Sequence, residues 1–384
     1  MSRDDPLPPY LQDIEAVLVD PEVADSRLAL RVRERLPGRE WRVADPDTLP
    51  ADQHPRIQAH HDPEMAQDQE TILYLKHYKG SFLRFCPGTR QYRCCGYRIA
   101  HVGENCPIGC AYCILQAYFQ DRVLKVWANQ NDLFSELEKA FSADASMRYR
   151  IGTGEFTDSL VLEPITGYAR DLVAFVSRFP NVRLELKSKT ADISWLDAVH
   201  KPETILPAWS MNAPLIVDTF EGMAASLEER LASAKACAKQ GLRVCLHFDP
   251  IIRFQGWQHG YAETIDMIFD HLRPEHIAYV SLGSFRFMPE LKGVIQARHP
   301  KAAFIYEEFV TGLDNKQRLV RPLRVEQFRF IADKLRQGGL DQELYFCMES
   351  DQVWNAVLGR TVGDLPTKAL DTHLLDLAFQ DPTA

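Results

Sequence analysis

From about residue 96 onward, short apolar runs alternate with stretches of helical spacing. Apolar or β-branched runs recur at 97–102, 148–152, 182–186, 205–210, 242–248 and 277–282, lengths suited to buried strands. Helical stretches lie between them at 132–141, 168–179, 226–240 and 261–272. The third carries apolar residues three and four apart and stops at Gly241, a normal helix terminator. Six such β–α units predict parallel strands, because a parallel neighbour needs a crossover connection. A closed barrel of this kind has eight units, so the pattern predicts an open, partial (β/α)6 barrel over residues 96–290. Functional residues of such barrels gather at the C-terminal ends of the strands.

Residues 1–95 predict a small N-terminal α/β segment. It has strands at 16–19 and 41–43, a charged helix at 25–36 and a strand-like run at 71–78. The first fifteen residues are rich in Pro and Asp and predict loose chain, and 46–70 read as a long connection. Residues 291–384 predict a helical C-terminal extension, with helices at 325–337 and 367–379. No internal repeat or low-complexity tract interrupts the 384 residues.

Composition narrows the class. A 46% hydrophobic, 25% charged chain is an ordinary globular one. The net charge of -9 argues against a surface wrapped broadly around nucleic acid, while leaving room for a local basic cleft. Nine cysteines behind a polar, acidic N-terminus predict a reducing, cytoplasmic setting and thiol or metal chemistry rather than disulfides. No apolar run approaches the ~20 residues that cross a bilayer.

The chemistry concentrates in Asn105-Cys106-Pro107-Ile108-Gly109-Cys110-Ala111-Tyr112-Cys113. Cys106, Cys110 and Cys113 stand in a C-x3-C-x2-C spacing after the first barrel strand. A [4Fe–4S] cluster normally takes four thiolates, so three from one Pro/Gly loop leave an iron open for another ligand. A zinc loop or simple burial is the alternative, but zinc sites usually pair C-x2-4-C units, and Cys113 has no such pair close behind it.

With this loop and the six units, five collinear segments resemble the spore photoproduct lyase family of radical S-adenosylmethionine (SAM) enzymes. They are Asn105 to Tyr118, Thr157-Asp158, Lys187 in Leu-Lys-Ser-Lys, Ser210-Met211-Asn212-Ala213, and Pro250 through Gly256-Trp257-Gln258-His259-Gly260-Tyr261. The resemblance implies that SAM chelates the open iron, receives an electron and breaks to a 5′-deoxyadenosyl radical, which abstracts hydrogen from the substrate. Damaged DNA is the substrate it implies, and a flavodoxin or ferredoxin the kind of electron donor. It further implies that Tyr112 packs the adenine, Glu155 bonds the SAM ammonium, Lys187 its carboxylate, and Ser210 and Asn212 its ribose or methionyl part. Each has a plainer alternative: a packed loop aromatic, a solvated Glu, a snorkelling Lys, a turn-forming polar pair.

Two positions depart from the family. Its hydrogen-donating cysteine is replaced by Glu155, and the tyrosine after its third cluster cysteine by Ile114. Cys94 and Cys95 are candidate substitute hydrogen donors, with Cys86 in the same group; burial of small thiols is the alternative. Arg84, Arg90, Arg93 and Arg98 interleave with Phe82, Phe85, Tyr92 and Tyr97, a pattern that suits phosphates and stacked bases and equally a two-sided strand. Arg253, Arg286 and Lys292 are further basic candidates. A radical SAM enzyme acting on a peptide, RNA or small molecule, and a cluster protein that binds nucleic acid without turnover, remain the rival readings.

Overall fold

The structure, a computed structural model, describes residues 6–44, 71–89, 91–119 and 123–380. The predicted connection at 46–70 and Arg90 lie outside the described residues. The chain opens with a short helix, Pro9–Gln12, and strand β1, Ile14–Val19. This corrects the expectation of loose chain for residues 9–15, while residues 1–5 of that stretch lie outside the described residues. Tyr10, Leu11 and Ile14 are buried, and that apolar triplet outweighs the prolines around it.

Helix Arg27–Arg35 follows, capped by the Ser26 hydroxyl, which accepts the Ala29 N–H at 3.2 Å. It buries Leu28, Ala29 and Val32. Strands β2 (Glu40–Val43) and β3 (Thr71–Lys76) lie on either side of β1, both parallel to it. Next come β4 (Leu83–Phe85), β5 (Arg98–Ala100), β6 (Gly103–Glu104) and β7 (Leu124–Trp127). β6 and β7 complete the first sheet, in the order β2-β1-β3-β7-β6. The cysteine loop, between β6 and β7 in sequence, is therefore held partly by the N-terminal sheet.

The second sheet is the curled half-barrel. β5, β8 (Tyr149–Gly152), β9 (Val182–Ser188), β10 (Ile205–Ser210), β11 (Val244–Ile251) and β12 (Ile277–Ser284) run parallel. They are the six strands the pattern predicts. Three short strands follow, β13 (Arg286–Phe287), β14 (Phe309–Thr311) and β15 (Gln317–Leu319), in a small antiparallel sheet. The sequence pattern does not signal them. β16 (Leu344–Phe346) then returns from the C-terminal part as a seventh parallel strand beside β12, while β4 closes the opposite edge antiparallel.

Every residue of β10 and β12 is buried, as expected of parallel strands covered on both faces. Helices cover the outside. Leu227–Lys239 starts at a capping box, with the Ser226 hydroxyl accepting Glu229 N–H at 3.3 Å and the Glu229 carboxylate accepting Ser226 N–H at 2.8 Å. Trp257–His271 and Arg321–Gln337 complete that side. Helix Leu370–Phe379 sits across the strands' N-terminal ends. Arg183 and Arg243 donate to its last carbonyls, Ala378 at 3.3 Å and Leu377 at 2.7 Å.

The barrel interior is polar at its centre. Glu185 of β9 accepts from Tyr97 at 3.2 Å and from Tyr279, and lies 3.2 Å from His247 Nε2 and 3.8 Å from Arg150. Burial alone would raise its carboxyl; His247, Arg150 and the tyrosine bond outweigh that and hold it at about 2. Lys187, two residues on, shares this inner face and stands above it, toward the site.

Candidate active site

A cavity of about 950 Å³ opens at the C-terminal ends of the barrel strands, lined by Cys106, Cys110 and Cys113 together with Tyr112, Glu155, Asp158, Lys187, Lys189 and Ser210. The loop carrying the cysteines turns at Asn105 and Gly109, both at positive φ (68° and 78°), which Gly adopts without strain and Asn tolerates. Asn105 is fixed by donating from its side chain to the Val123 carbonyl at 2.9 Å. Gln116 reaches back to the carbonyls of Cys110 and Ala111 at 3.0 and 3.1 Å.

A second brace comes from residues 220–223. Ala111 N–H donates to Phe220 O at 2.8 Å and Met223 N–H to Ile108 O at 2.9 Å. Gly222 makes this approach possible, since a Cβ there would stand 2.1 Å from Ile108 O. Beneath it, Glu221 and Arg230 form a fully buried ion pair. Glu221 also accepts from the Tyr112 hydroxyl, and Arg230 donates to the Ser210 carbonyl at 2.9 Å.

Burial pushes all three cysteine thiols up, and Asp158 adds to the effect at Cys106. Among the described residues no three His, Cys, Asp or Glu side chains converge as ligands of a single ion. The three thiols instead share one cavity wall, an arrangement that suits a cluster taking one thiolate per iron.

The structure brings together Tyr112, Glu155, Lys187 and Ser210 as the sequence reading expected. Their partners refine it. Lys187 Nζ donates to Glu155 at 2.8 Å; burial works to lower its ammonium pKa, and Glu155 reverses this and holds it above the usual lysine range. Glu155 and Lys187 therefore occupy one another. The sequence reading passed over Lys189, which lies over the Tyr112 ring at 5.8 Å and has no carboxylate partner among the described residues. Asp158 aims it: the carboxylate accepts Lys189 N–H at 2.7 Å, Ser188 Oγ at 2.7 Å and the N–H groups of Leu160 and Val161 at 2.9 and 3.1 Å. The Lys-Ser-Lys spacing, two cations two residues apart at the end of β9, was the available signal.

Asn212 does not line the cavity. Its Oδ1 accepts from Tyr261 at 2.6 Å and its Nδ2 donates to Pro250 O at 3.3 Å, so it ties the chain leaving β10 to the end of β11 and to helix Trp257–His271. The two glycines before Glu155 also serve packing. A Cβ at Gly152 would fall 1.6 Å from the Tyr97 hydroxyl, and one at Gly154 3.0 Å from Lys187 O.

Of the upstream thiols, Cys94 is exposed, and neither it nor Cys95 lines the cavity; Cys86 does. Cys86 follows β4 directly, at the barrel edge, and Cys95 packs with it against Tyr97, Ile99 and Phe156. The interleaved arginines are engaged within the protein. Arg93 pairs with Asp351 at 3.0 Å, Arg84 donates to Ser81 O at 2.8 Å, and Arg98 stacks over Phe85 and Tyr149. Arg253 pairs with Glu326 at 2.8 Å, Arg286 with Asp249 at 3.0 Å, and Lys292 lies over Tyr306. No helix among the described residues is long and apolar enough to cross a membrane.

Known proteins share both the pattern and the fold. The family model for spore photoproduct lyase matches residues 94–346. The chain belongs to the spore photoproduct lyase family, within the radical SAM proteins, whose cofactors are a [4Fe–4S] cluster and SAM. Spore photoproduct lyase of Geobacillus sp. (strain Y412MC61) is 26% identical over 211 residues, 54% of this chain and 62% of that protein. The Bacillus subtilis (strain 168) lyase is 23% identical over 209 residues, covering 53% and 60%. The matches thus span about three fifths of these relatives' length. A solved spore photoproduct lyase mutant with dinucleoside spore photoproduct superposes with TM-score 0.73 at 20% identity, over 89% of this chain and 99% of that one. Another, with bound AdoMet and dinucleoside spore photoproduct, gives 0.71 at 18%, over 88% and 98%. The shared fold is the radical SAM partial barrel.

Proposed function

We propose that the protein is a radical SAM enzyme that cleaves SAM reductively and acts on damaged DNA in the manner of spore photoproduct lyase. The observation that carries this reading is the gathering of Cys106, Cys110 and Cys113 with Lys189, Ser210 and Tyr112 in one cavity at the strand ends. The donor set fits the cofactors: three thiols for iron, an unpaired ammonium for a carboxylate, a hydroxyl for a ribose and an aromatic face for a purine. The cluster, when bound, supplies the electron that breaks the SAM sulfonium bond. Lys189, held by Asp158, orients the amino-acid end, and the Tyr112–Glu221–Arg230 chain keeps the loop in place. An electron donor of the flavodoxin or ferredoxin kind completes the system.

Cys94 and Cys95, the hydrogen donors suggested by sequence, stand outside the cavity, and Cys86 takes that role in our reading. Its S–H bond breaks, a C–H bond forms on the substrate radical, and the thiyl left behind is reduced by one electron and one proton drawn from the electron donor and solvent. Glu155 cannot serve, having no hydrogen to give as a carboxylate.

The test is anaerobic incubation of reconstituted protein with SAM, reductant and UV-irradiated DNA, followed by chromatography of bases and nucleosides. Release of 5′-deoxyadenosine with loss of a DNA photoproduct is expected; Cys106→Ala should abolish both, together with the cluster's EPR signal. A second reading, a non-DNA substrate (peptide, RNA or small molecule), is favoured by the -9 net charge and the internal pairing of the arginines. Brisk SAM cleavage with no DNA product would select it. No SAM cleavage by a fully loaded cluster would leave a nucleic-acid-binding protein without turnover.

A further inference from the structure

The turn that follows β4 brings Cys86, Pro87 and Thr89 to the cavity wall. Its start is fixed by the Cys86 N–H, which donates to Tyr97 O at 2.9 Å. Cys86 is the hydrogen donor of our reading, and Thr89 has no part in it so far. The Thr89 hydroxyl oxygen is buried, yet it makes no hydrogen bond. Among the described residues, it is the only buried, unbonded side-chain polar atom on a residue that lines the cavity. Charged groups of the same wall hold one another: Glu155 accepts from Lys187 at 2.8 Å and Asp249 from Arg286 at 3.0 Å. A buried hydroxyl ordinarily finds a partner, and this one can both donate and accept. Nothing ties it to its present place. One step about χ1, from one staggered well to the next, exchanges the hydroxyl with the methyl group and breaks no hydrogen bond.

We propose that Thr89 is a substrate-recognition residue: its hydroxyl turns into the cavity and donates a hydrogen bond to a ring carbonyl of the damaged pyrimidine base. The proposal rests on the reading of the protein as a radical SAM enzyme acting on damaged DNA, with Cys86 as hydrogen donor. Every pyrimidine base carries a ring carbonyl, so the contact selects for that class of base. Thr89 stands three positions beyond Cys86 in the same turn, so a base held by the one is presented to the other. Holding the radical carbon near the thiol favours quenching there over competing reactions. The unbonded hydroxyl is costly in the free protein and is satisfied only when substrate is bound.

The experiment compares the full-length parent with Thr89→Val, which keeps the branched shape and removes the hydroxyl, and with Thr89→Ser, which keeps the hydroxyl. Melting temperatures are read on the substrate-free proteins by differential scanning fluorimetry, and SAM affinity by equilibrium dialysis. Reconstituted proteins are then assayed with UV-irradiated DNA for KM, kcat and the share of misquenched product. Thr89→Val should melt no lower than the parent, because it loses no hydrogen bond within the protein, and should bind SAM equally. Its KM should nonetheless rise roughly 2- to 12-fold, the worth of one hydrogen bond, with more misquenched product, while Thr89→Ser stays close to the parent. A lower melting temperature in Thr89→Val shows that the hydroxyl has a partner inside the protein, and weaker SAM binding places it on the cofactor; either overturns the proposal. So do a parental KM and product ratio in Thr89→Val, or a Thr89→Ser protein that behaves like Thr89→Val. A parent that consumes no DNA photoproduct sinks the DNA reading and this proposal with it, and the parent's own product assay separates that failure from the others.

Discussion

Replacing Glu221 by Gln should cost this protein a large share of its stability. The side chain keeps its shape but loses its charge, which leaves the Arg230 guanidinium unpaired in a place where neither residue is exposed to solvent. Burial alone would raise the Glu221 carboxyl; Arg230, then Lys189 and the Tyr112 bond, outweigh it and hold the group below the usual carboxylate range, so the charge is present in the fold. Breaking a buried pair by removing one partner costs roughly 3–5 kcal/mol. Total stabilities run to about 5–15 kcal/mol, so the loss is a substantial fraction. At about 2 °C per kcal/mol, the lower slope for large domains, the melting temperature should fall by about 6–10 °C. Differential scanning fluorimetry and urea titration read this directly. Glu221→Gln combined with Arg230→Met should recover much of the loss, because removing the guanidinium as well takes away the stranded charge. Arg230 also serves the carbonyls of Ser210 and Ala225, so recovery should be incomplete. A Glu221→Gln protein that melts within a degree of the parent refutes the reasoning.

Three further outcomes follow from the site and the barrel interior. Lys189→Ala should weaken SAM binding by ~1.5–3 kcal/mol, roughly 10- to 150-fold, by removing a charge-assisted contact; equilibrium dialysis should give a smaller effect for Lys187→Ala, whose ammonium is engaged by Glu155, and equal effects would sink the distinction. Cys86→Ala should leave the cluster signal and SAM cleavage intact while substrate products are misquenched, whereas Cys94→Ala/Cys95→Ala turns over normally; the reverse pattern would restore the upstream pair. Glu185, held at about 2 against an ordinary 4.5, contributes roughly 3 kcal/mol. A lowered folded pKa means that this contribution is complete above the unfolded value and disappears as pH falls from there through about 2. Glu185→Gln should therefore flatten the acid limb of a stability–pH curve recorded between pH 5 and 2.

The six parallel strands were legible because each is a short buried run flanked by helical spacing, and the cysteine loop because three thiols in eight positions have few other uses. What escaped notice was non-local. Leu344–Phe346 is a three-residue strand that exists only because β12 offers it an open edge. Tyr10 sits in a proline-rich stretch whose order comes from packing, not local propensity. Lys189 and Asn212 carry the same kind of warning. Lys187 in β9 and Lys189 just beyond its end stand two residues apart, and only the fold says which is already paired; a polar pair at the end of β10 divides into a cavity residue, Ser210, and an internal tie, Asn212. Cys86, Cys94 and Cys95 looked alike as thiols near a strand, and the turn after β4 decides which one meets the cavity.

Strand β7 has consequences for any attempt to pare the molecule down. Its parallel neighbour is β3 and its antiparallel one β6, so the return leg of the cysteine loop is stitched into a sheet whose other parallel members precede residue 77. Cutting the chain at the start of the barrel would strip Leu124 and Val126 of their neighbours and leave the loop anchored at one end only. Grafting this barrel onto a different N-terminal unit would meet the same difficulty. The two sheets are separable on paper, but as material they share a seam, and the seam runs through the residues on which the chemistry depends.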